Sequence, residues 1–267
     1  MSRVSKALGQ MEQLNSLNER DQWLNRLHPL VKLSLTIIYI VTVVSFSKYM
    51  LSGLLAMVIY PLFVFYVGEI SIKDCIYRIR LIIPLILVVG IFNPIFDREV
   101  VAYICGVGIS GGWLAMITLS IKGLLTVLAV YILIATTKVE DICYSLQLMH
   151  VPTIITTVIL LVYRYLGLLF NEVEKIIIAY KLRAPNQRGV NYKVWGSLVG
   201  QLLLRSMDRA NIVYDAMELR GFNGNIKNRG KKLRLDITNV IYLALWLILF
   251  YLIRHTDILE ILGGLFV

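Results

Sequence analysis

From residue 31 onward the chain is a succession of long apolar runs separated by short polar or glycine- and proline-bearing breaks. Several runs approach the roughly 20 residues that a helix needs to cross a bilayer. Runs at about 31–47, 50–68, 81–96, 113–136 and 237–253 predict five crossings. Pro29 suits the first turn of the first helix, and Pro61 predicts a kink in the second. Lys48-Tyr49 reads as a tight connection between them. The third run carries Pro84, Gly90 and Pro94 and is too broken for a straight helix, so a bent or short crossing supported by protein neighbours is expected. Residues 97–112, with Gly106, Gly108, Gly111 and Gly112, predict an external loop or hairpin.

After Thr136-Thr137-Lys138 the pattern changes. Ile142, Leu146 and Met149 form one apolar stripe, so Val139 to His150 predicts an amphipathic helix, broken by Val151-Pro152. Thr153 to about Arg183 is one uninterrupted helical pattern, apolar to Phe170 and charged beyond it. Pro185 cannot continue it. A second such pattern, about 190–220, again passes from apolar to charged, and Gly221 stands where a left-handed residue ends a helix well.

Composition agrees with a membrane chain: 58% of the 267 residues are hydrophobic, and mean hydropathy is +0.72. The first thirty residues are polar and of mixed charge, so no cleavable signal is expected. Segment 164–234 holds fourteen of the 27 Lys and Arg residues, which predicts that it is cytoplasmic. The N-terminus and 69–80 then lie inside, 97–112 and the C-terminus outside. The apolar parts of 154–170 and 194–204 are expected to dip into the membrane or lie against it rather than cross. The resulting layout is a polar arm (1–30), a transmembrane region with about four spans (31–136), cytoplasmic or interfacial helices (137–224), a basic linker (225–236) and a last span with a tail (237–267). The net charge of +10 flanks apolar runs, which favours anionic lipid over nucleic acid as its partner. Cys75, Cys105 and Cys143 are scattered, as are the three histidines, so neither a disulfide framework nor a metal site is expected.

The two long helical patterns end alike. Ala179-Tyr180-Lys181-Leu182-Arg183-Ala184 and Ala216-Met217-Glu218-Leu219-Arg220-Gly221 both read Ala-x-x-Leu-Arg-small. One arginine at a helix C-terminus complements the macrodipole, worth about 0.3–1 kcal/mol, and needs no partner. The repeat argues for more. In each copy an alanine lies four residues before the arginine on the same face, leaving room for another surface to approach. The guanidinium projects beyond the helix end as a rigid fork suited to carboxylates. Two such tips on one basic platform predict a docking device for a dimeric acidic partner.

With those motifs and with Leu27-His28-Pro29-Leu30-Val31-Lys32-Leu33, the whole chain resembles the transmembrane T component of energy-coupling factor (ECF) transporters, the CbiQ/EcfT family. The resemblance implies an all-α polytopic membrane protein with about five transmembrane helices and long cytoplasmic coupling helices forming a platform. It implies that Arg183 and Arg220, flanked by Leu182, Ala184, Leu219 and Gly221 and supported by Ala179 and Ala216, dock into two cytoplasmic ABC ATPases. Here leucine precedes each arginine where the family typically has alanine, and Ala184 follows the first. ATP and magnesium would be bound by those partners, with no cofactor in this chain. A separate membrane S component would capture the substrate, cobalt or nickel on the branch the sequence most resembles. Motion of the ATPases would pass along stiff helices, with slack supplied by the Pro84/Gly90/Pro94 and 106–112 regions.

Two readings compete. A membrane-embedded enzyme would use Arg164, Glu172, Glu174, Arg205, Asp208 and Arg209, although i, i+3 and i, i+4 pairing on a solvated face accounts for such charges. No HExxH or Gly-Lys-Ser/Thr phosphate loop occurs. A self-contained permease would need charge inside a span, where Lys122 is the candidate, read first as an interhelical contact.

Overall fold

A computed structural model describes Gly9 and residues 23–47, 51–69, 71, 75–76, 79–80, 82–96, 100–104, 107–185, 187, 189–222, 224 and 236–255. Most of the polar arm, the Lys48-Tyr49 connection, much of 69–80, Cys105, the basic stretch 225–235 and the tail after His255 lie outside the described residues. The elements are α1 (Trp23–Arg26), α2 (Pro29–Ser45), α3 (Leu51–Ala56), α4 (Ile59–Val67), α5 (Ile83–Phe96), β1 (Val100–Ile104), β2 (Val107–Ser110), α6 (Gly111–Thr136), α7 (Val139–Leu148), α8 (Thr153–Arg183), α9 (Tyr192–Glu218) and α10 (Ile237–His255). The protein is an all-α polytopic membrane protein. Its β-structure, among the described residues, is the antiparallel β1–β2 hairpin anticipated from the glycines, with Ile104 opposite Val107.

Helices α6, α8 and α10 are long and apolar enough to cross a membrane, while Pro29–Ser45, Gly53–Val67 and Ile83–Pro94 are shorter apolar helices. By length and composition α8 thus qualifies, although the charge pattern had kept it out of the count of crossings. The described residues fall into two compact units, one holding α1–α6, the hairpin and α10, the other α7–α9.

In the first unit, α2, α4 and α10 share an aromatic core. The Tyr60 ring meets Tyr39 at 4.8 Å and Trp246 edge-on at 4.8 Å, and Phe250 closes on Tyr39 at 5.4 Å. The expected Pro61 kink takes the form of a break between α3 and α4 at Met57-Val58. Pro61 has no N–H to donate to the carbonyl four residues earlier, and its ring crowds that carbonyl. The residue four earlier is Met57. The Tyr39 hydroxyl fills the vacancy, donating to Met57 O at 3.1 Å from a fully buried position.

The motif that opens α2 works residue by residue. His28 caps the helix, its Nδ1 accepting from Leu30 N–H at 3.2 Å, and Pro29 occupies N1. The His28 N–H donates to Asn239 Oδ1 at 3.0 Å, joining the starts of α2 and α10. The buried Lys32 ammonium donates to Thr136 O at 2.8 Å, capping the end of α6. At the other end the relation reverses: Lys122 of α6 donates to Val44 O at 3.1 Å and to Phe46 O, the last carbonyls of α2. The Arg254 guanidinium of α10 lies over the Phe46 ring at 4.9 Å. Helices α2 and α10 therefore run parallel, and α6 antiparallel to both.

The 17 residues of α2 span about 26 Å, less than the roughly 30 Å of hydrocarbon. A helix this short leaves end carbonyls that need an internal donor if they fall within hydrocarbon. Lys122 is that donor, and the interhelical reading of this residue holds. Glycines serve close packing between α5 and α6. A Cβ on Gly123 would stand 2.9 Å from Ile86 Cδ1, and one on Gly90 would stand 3.2 Å from Met116 Cγ. Gly90, expected to give slack, is used for contact.

In the second unit, α7 ends on His150 in the left-handed region at φ 65°. Val151 N–H donates to Leu146 O and His150 N–H to Gln147 O, each at 3.1 Å, the bond pair of a Schellman cap. Gln147 Nε2 then donates to Thr156 Oγ1 at 2.8 Å, fastening α7 to α8.

Candidate functional site

Helix α8 spans 31 residues, about 46 Å, and Arg183 is its final residue. Its last N–H-bonded turn closes when Ala184 N–H donates to Tyr180 O at 3.0 Å, and Ala184 itself leaves helical geometry at φ −133°, ψ 66°. Pro185 follows, as the stop signal required. Lys181 and Arg183 occupy the last turn, where cations complement the macrodipole. Arg183 is exposed, and Leu182 beside it is 78% exposed.

Helix α9 spans 27 residues, about 40 Å, and stops by different chemistry. Phe222 N–H donates to Met217 O at 3.0 Å and Gly221 N–H to Glu218 O at 2.8 Å, with Gly221 at φ 79°. This is a Schellman cap with Arg220 immediately before the left-handed glycine. Arg220 is exposed, and Leu219 is 90% exposed. Each helix tip thus exposes a large apolar side chain beside its arginine. Ala179 and Ala216 are also exposed, Ala184 is half-buried, and Gly221 is exposed. All eight residues singled out from the sequence are thus accessible or nearly so at two helix ends. Those ends are not gathered into one pocket; α9 separates Arg220 from the turn that follows Arg183.

The two helices meet where Glu172 pairs with Arg205, and Glu172 also lies 3.7 Å from Lys175. Only the second of these is the local i, i+3 pairing expected; the first bridges α8 and α9. The Arg205 hydrogen bond holds the Glu172 carboxyl below its ordinary range. Glu172 lies beyond the apolar half of α8 and is bound to a cation, an arrangement that spends it on geometry rather than acid–base chemistry. Among the described residues no group of three or more His, Cys, Asp or Glu can hold a metal ion. No residue of α9 is buried, and Val199, Leu203, Met207 and Tyr214 all stand more than half exposed along it.

One functional candidate escaped sequence reasoning. The Tyr180 hydroxyl accepts from Asn191 N–H at 3.3 Å and contacts Gln187 Oε1, so it spans the turn from α8 to α9. Asn191 in turn caps α9, its Oδ1 accepting from Lys193 N–H at 3.2 Å. The only sequence signal was the tyrosine inside the first motif, where methionine stands in the second.

A family model described as CbiQ, cobalt transport protein, matches residues 20–231. Among curated relatives, the nickel permease LarQ of Lactiplantibacillus plantarum is 33% identical over 98 residues, 36% of this chain and 36% of its own. An uncharacterized protein of Methanocaldococcus jannaschii is 32% identical over 95 residues, 35% of this chain and 32% of its own. The matched stretch therefore spans about a third of the length of each relative.

Proposed function

Since the chain belongs to the CbiQ cobalt transport protein family, we propose that it is the coupling subunit of an ATP-driven importer, transmitting motion from two cytoplasmic ABC ATPases to a separate substrate-binding membrane S component. As a member of that family it is a transport component of the membrane. The observation that carries the finer reading is the pair of Ala-x-x-Leu-Arg helix ends, each presenting an exposed arginine beside a leucine at least 78% exposed. Each end offers a charge fork for a carboxylate and an apolar contact next to it. Two such ends suit two like subunits. ATP and magnesium belong to those subunits.

Topology supports a cytoplasmic platform. Lys32 meets the end of α6 and His28 meets the start of α10, so residues 136 and 239 lie at the same end of the bundle. Between them the chain crosses the bilayer an even number of times. Helix α9, with Lys193, Arg205, Asp208, Arg209, Asp215 and Glu218, is too charged to cross. An even count favours α8 as a non-crossing helix, and the concentration of Lys and Arg in 164–234 supports a cytoplasmic position for that segment and for the N-terminus. The cargo is a divalent transition-metal ion, cobalt or nickel, as the family's description and the LarQ similarity suggest.

Affinity purification in mild detergent tests the reading. The wild-type chain is expected to bring down ABC ATPases and a small membrane protein, and Arg183→Glu/Arg220→Glu to lose the ATPases while keeping the membrane partner. A wild type that purifies alone, or a double variant that keeps the ATPases, defeats it.

A further inference from the structure

Two arginines can be worked by two ATPases only if the helices that carry them keep a defined angle. The turn from α8 to α9 is poorly suited to that on its own. It holds exposed Pro185 and Gln187 and a left-handed, exposed Gly189 at φ 88°, with open space around the glycine. Beyond the turn, α9 reaches about 40 Å toward Arg220, so a 10° change of direction at the turn moves that end by about 7 Å. Such a displacement exceeds the reach of a guanidinium hydrogen bond.

We propose that the Tyr180 hydroxyl is the positioning group that sets the angle between the two arginine-tipped helices, a role that rests on the coupling reading above. Its placement is specific. Tyr180 lies one turn before Arg183, and its carbonyl accepts the bond from Ala184 that ends α8. Its hydroxyl accepts from Asn191 N–H and engages Gln187 at the middle of the turn. Asn191 is the cap of α9. One residue is therefore bonded through its carbonyl at the end of α8, and through its hydroxyl to the middle of the turn and to the cap of α9. The Glu172–Arg205 pair is a second fixed point farther along both helices. Two points define an angle, but an exposed ion pair is screened and weak on its own. The hydroxyl bonds join uncharged groups, so they are the part of the junction that salt does not screen.

Distance measurement between spin labels at Ile178→Cys and Tyr214→Cys decides the matter, made on the full chain in lipid nanodiscs with the native cysteines replaced. Both positions are exposed and lie outside the arginine tips. The parent protein should give one narrow distance. Tyr180→Phe keeps the ring and removes the hydroxyl, and should shift about fivefold more of the population away from that distance. Gln187→Leu, which leaves Tyr180 in place, should broaden the distribution by less. Unchanged distributions in both variants overturn the proposal. In the assembled transporter, Tyr180→Phe should retain ATP hydrolysis and raise the ATP consumed per metal ion moved about fivefold. A transport loss that merely follows the amount of folded subunit, at an unchanged ratio, also overturns it. A parent chain that captures no ATPase defeats the coupling reading instead, and the distance measurement still decides the role of Tyr180.

Discussion

Replacing Tyr39 by Phe should be destabilising chiefly while Pro61 is present. The ring is fully buried, so the substitution removes one oxygen and leaves apolar packing against Tyr60 and Phe250 in place. What changes is Met57 O, which accepts from the Tyr39 hydroxyl because Pro61 has no N–H to offer. Stranding a buried carbonyl costs about 1–3 kcal/mol. In a Pro61→Ala background the new N–H can reach the same carbonyl as α3 and α4 join, and Tyr39→Phe should then cost under about 0.5 kcal/mol. The coupling between the two sites is thus expected at about 1–2 kcal/mol, near the upper end measured for hydrogen bonds in membrane proteins. A double-mutant cycle measured by equilibrium unfolding in mixed detergent micelles reads it directly. Equal costs of Tyr39→Phe in the two backgrounds would refute the argument that the hydroxyl replaces the missing proline N–H.

Other expectations follow from the same geometry. Lys122→Met should destabilise the chain by about 2–3 kcal/mol through stranded carbonyls at Val44 and Phe46, while Lys122→Arg retains most stability and transport; a loss of transport in both at full stability would restore Lys122 as a pathway residue. Gly123→Leu should disrupt the packing of α5 on α6 by about 1–3 kcal/mol, since even a Cβ there stands 2.9 Å from Ile86 Cδ1; unaltered thermal stability would contradict it. Gly221→Ala meets open space but a left-handed backbone, so a cost of about 1–2 kcal/mol should appear as fraying of the end of α9 in hydrogen exchange. The depressed Glu172 pKa makes its pairing with Arg205 complete above the ordinary carboxylate range and lost as pH falls through the lowered value. The α8–α9 distance should therefore widen in acid and in high salt, and Glu172→Gln should remove both dependences.

The helix ends that carry the arginines were legible because local chemistry writes them: Pro185 and Gly221 stop their helices whatever surrounds them. The α5–α6 hairpin region was legible for the same reason, through its glycines. Less was visible where the partner is distant in sequence. Pro61 announced a kink, but not that a tyrosine from α2 would accept the task of bonding Met57. Glu172 and Arg205 are 33 positions apart, and no periodicity joins them. Lys122 was recognisable as a charge in an apolar run, yet its partners are backbone carbonyls, which no residue type betrays. Tyr180 looked like the variable part of a motif, because its hydroxyl acts across a turn whose geometry the residues alone do not specify.

The exchange of lysines between α2 and α6 also bears on how the chain is made. Val44 leaves the ribosome 78 positions ahead of Lys122, and at about 5–20 residues per second its carbonyl waits roughly 4–16 s for that donor. His28 precedes Asn239 by 211 positions, a delay of roughly 10–40 s at the same pace. For that interval the partners of its end groups do not yet exist, so α2 is expected to stay beside an insertase or translocon wall rather than pass into the bilayer. A nascent chain halted before Gly111 should remain crosslinkable to that machinery through α2, and one that has released α6 should not. On that expectation Lys32 and Lys122 would mark the point in synthesis at which α2 is released.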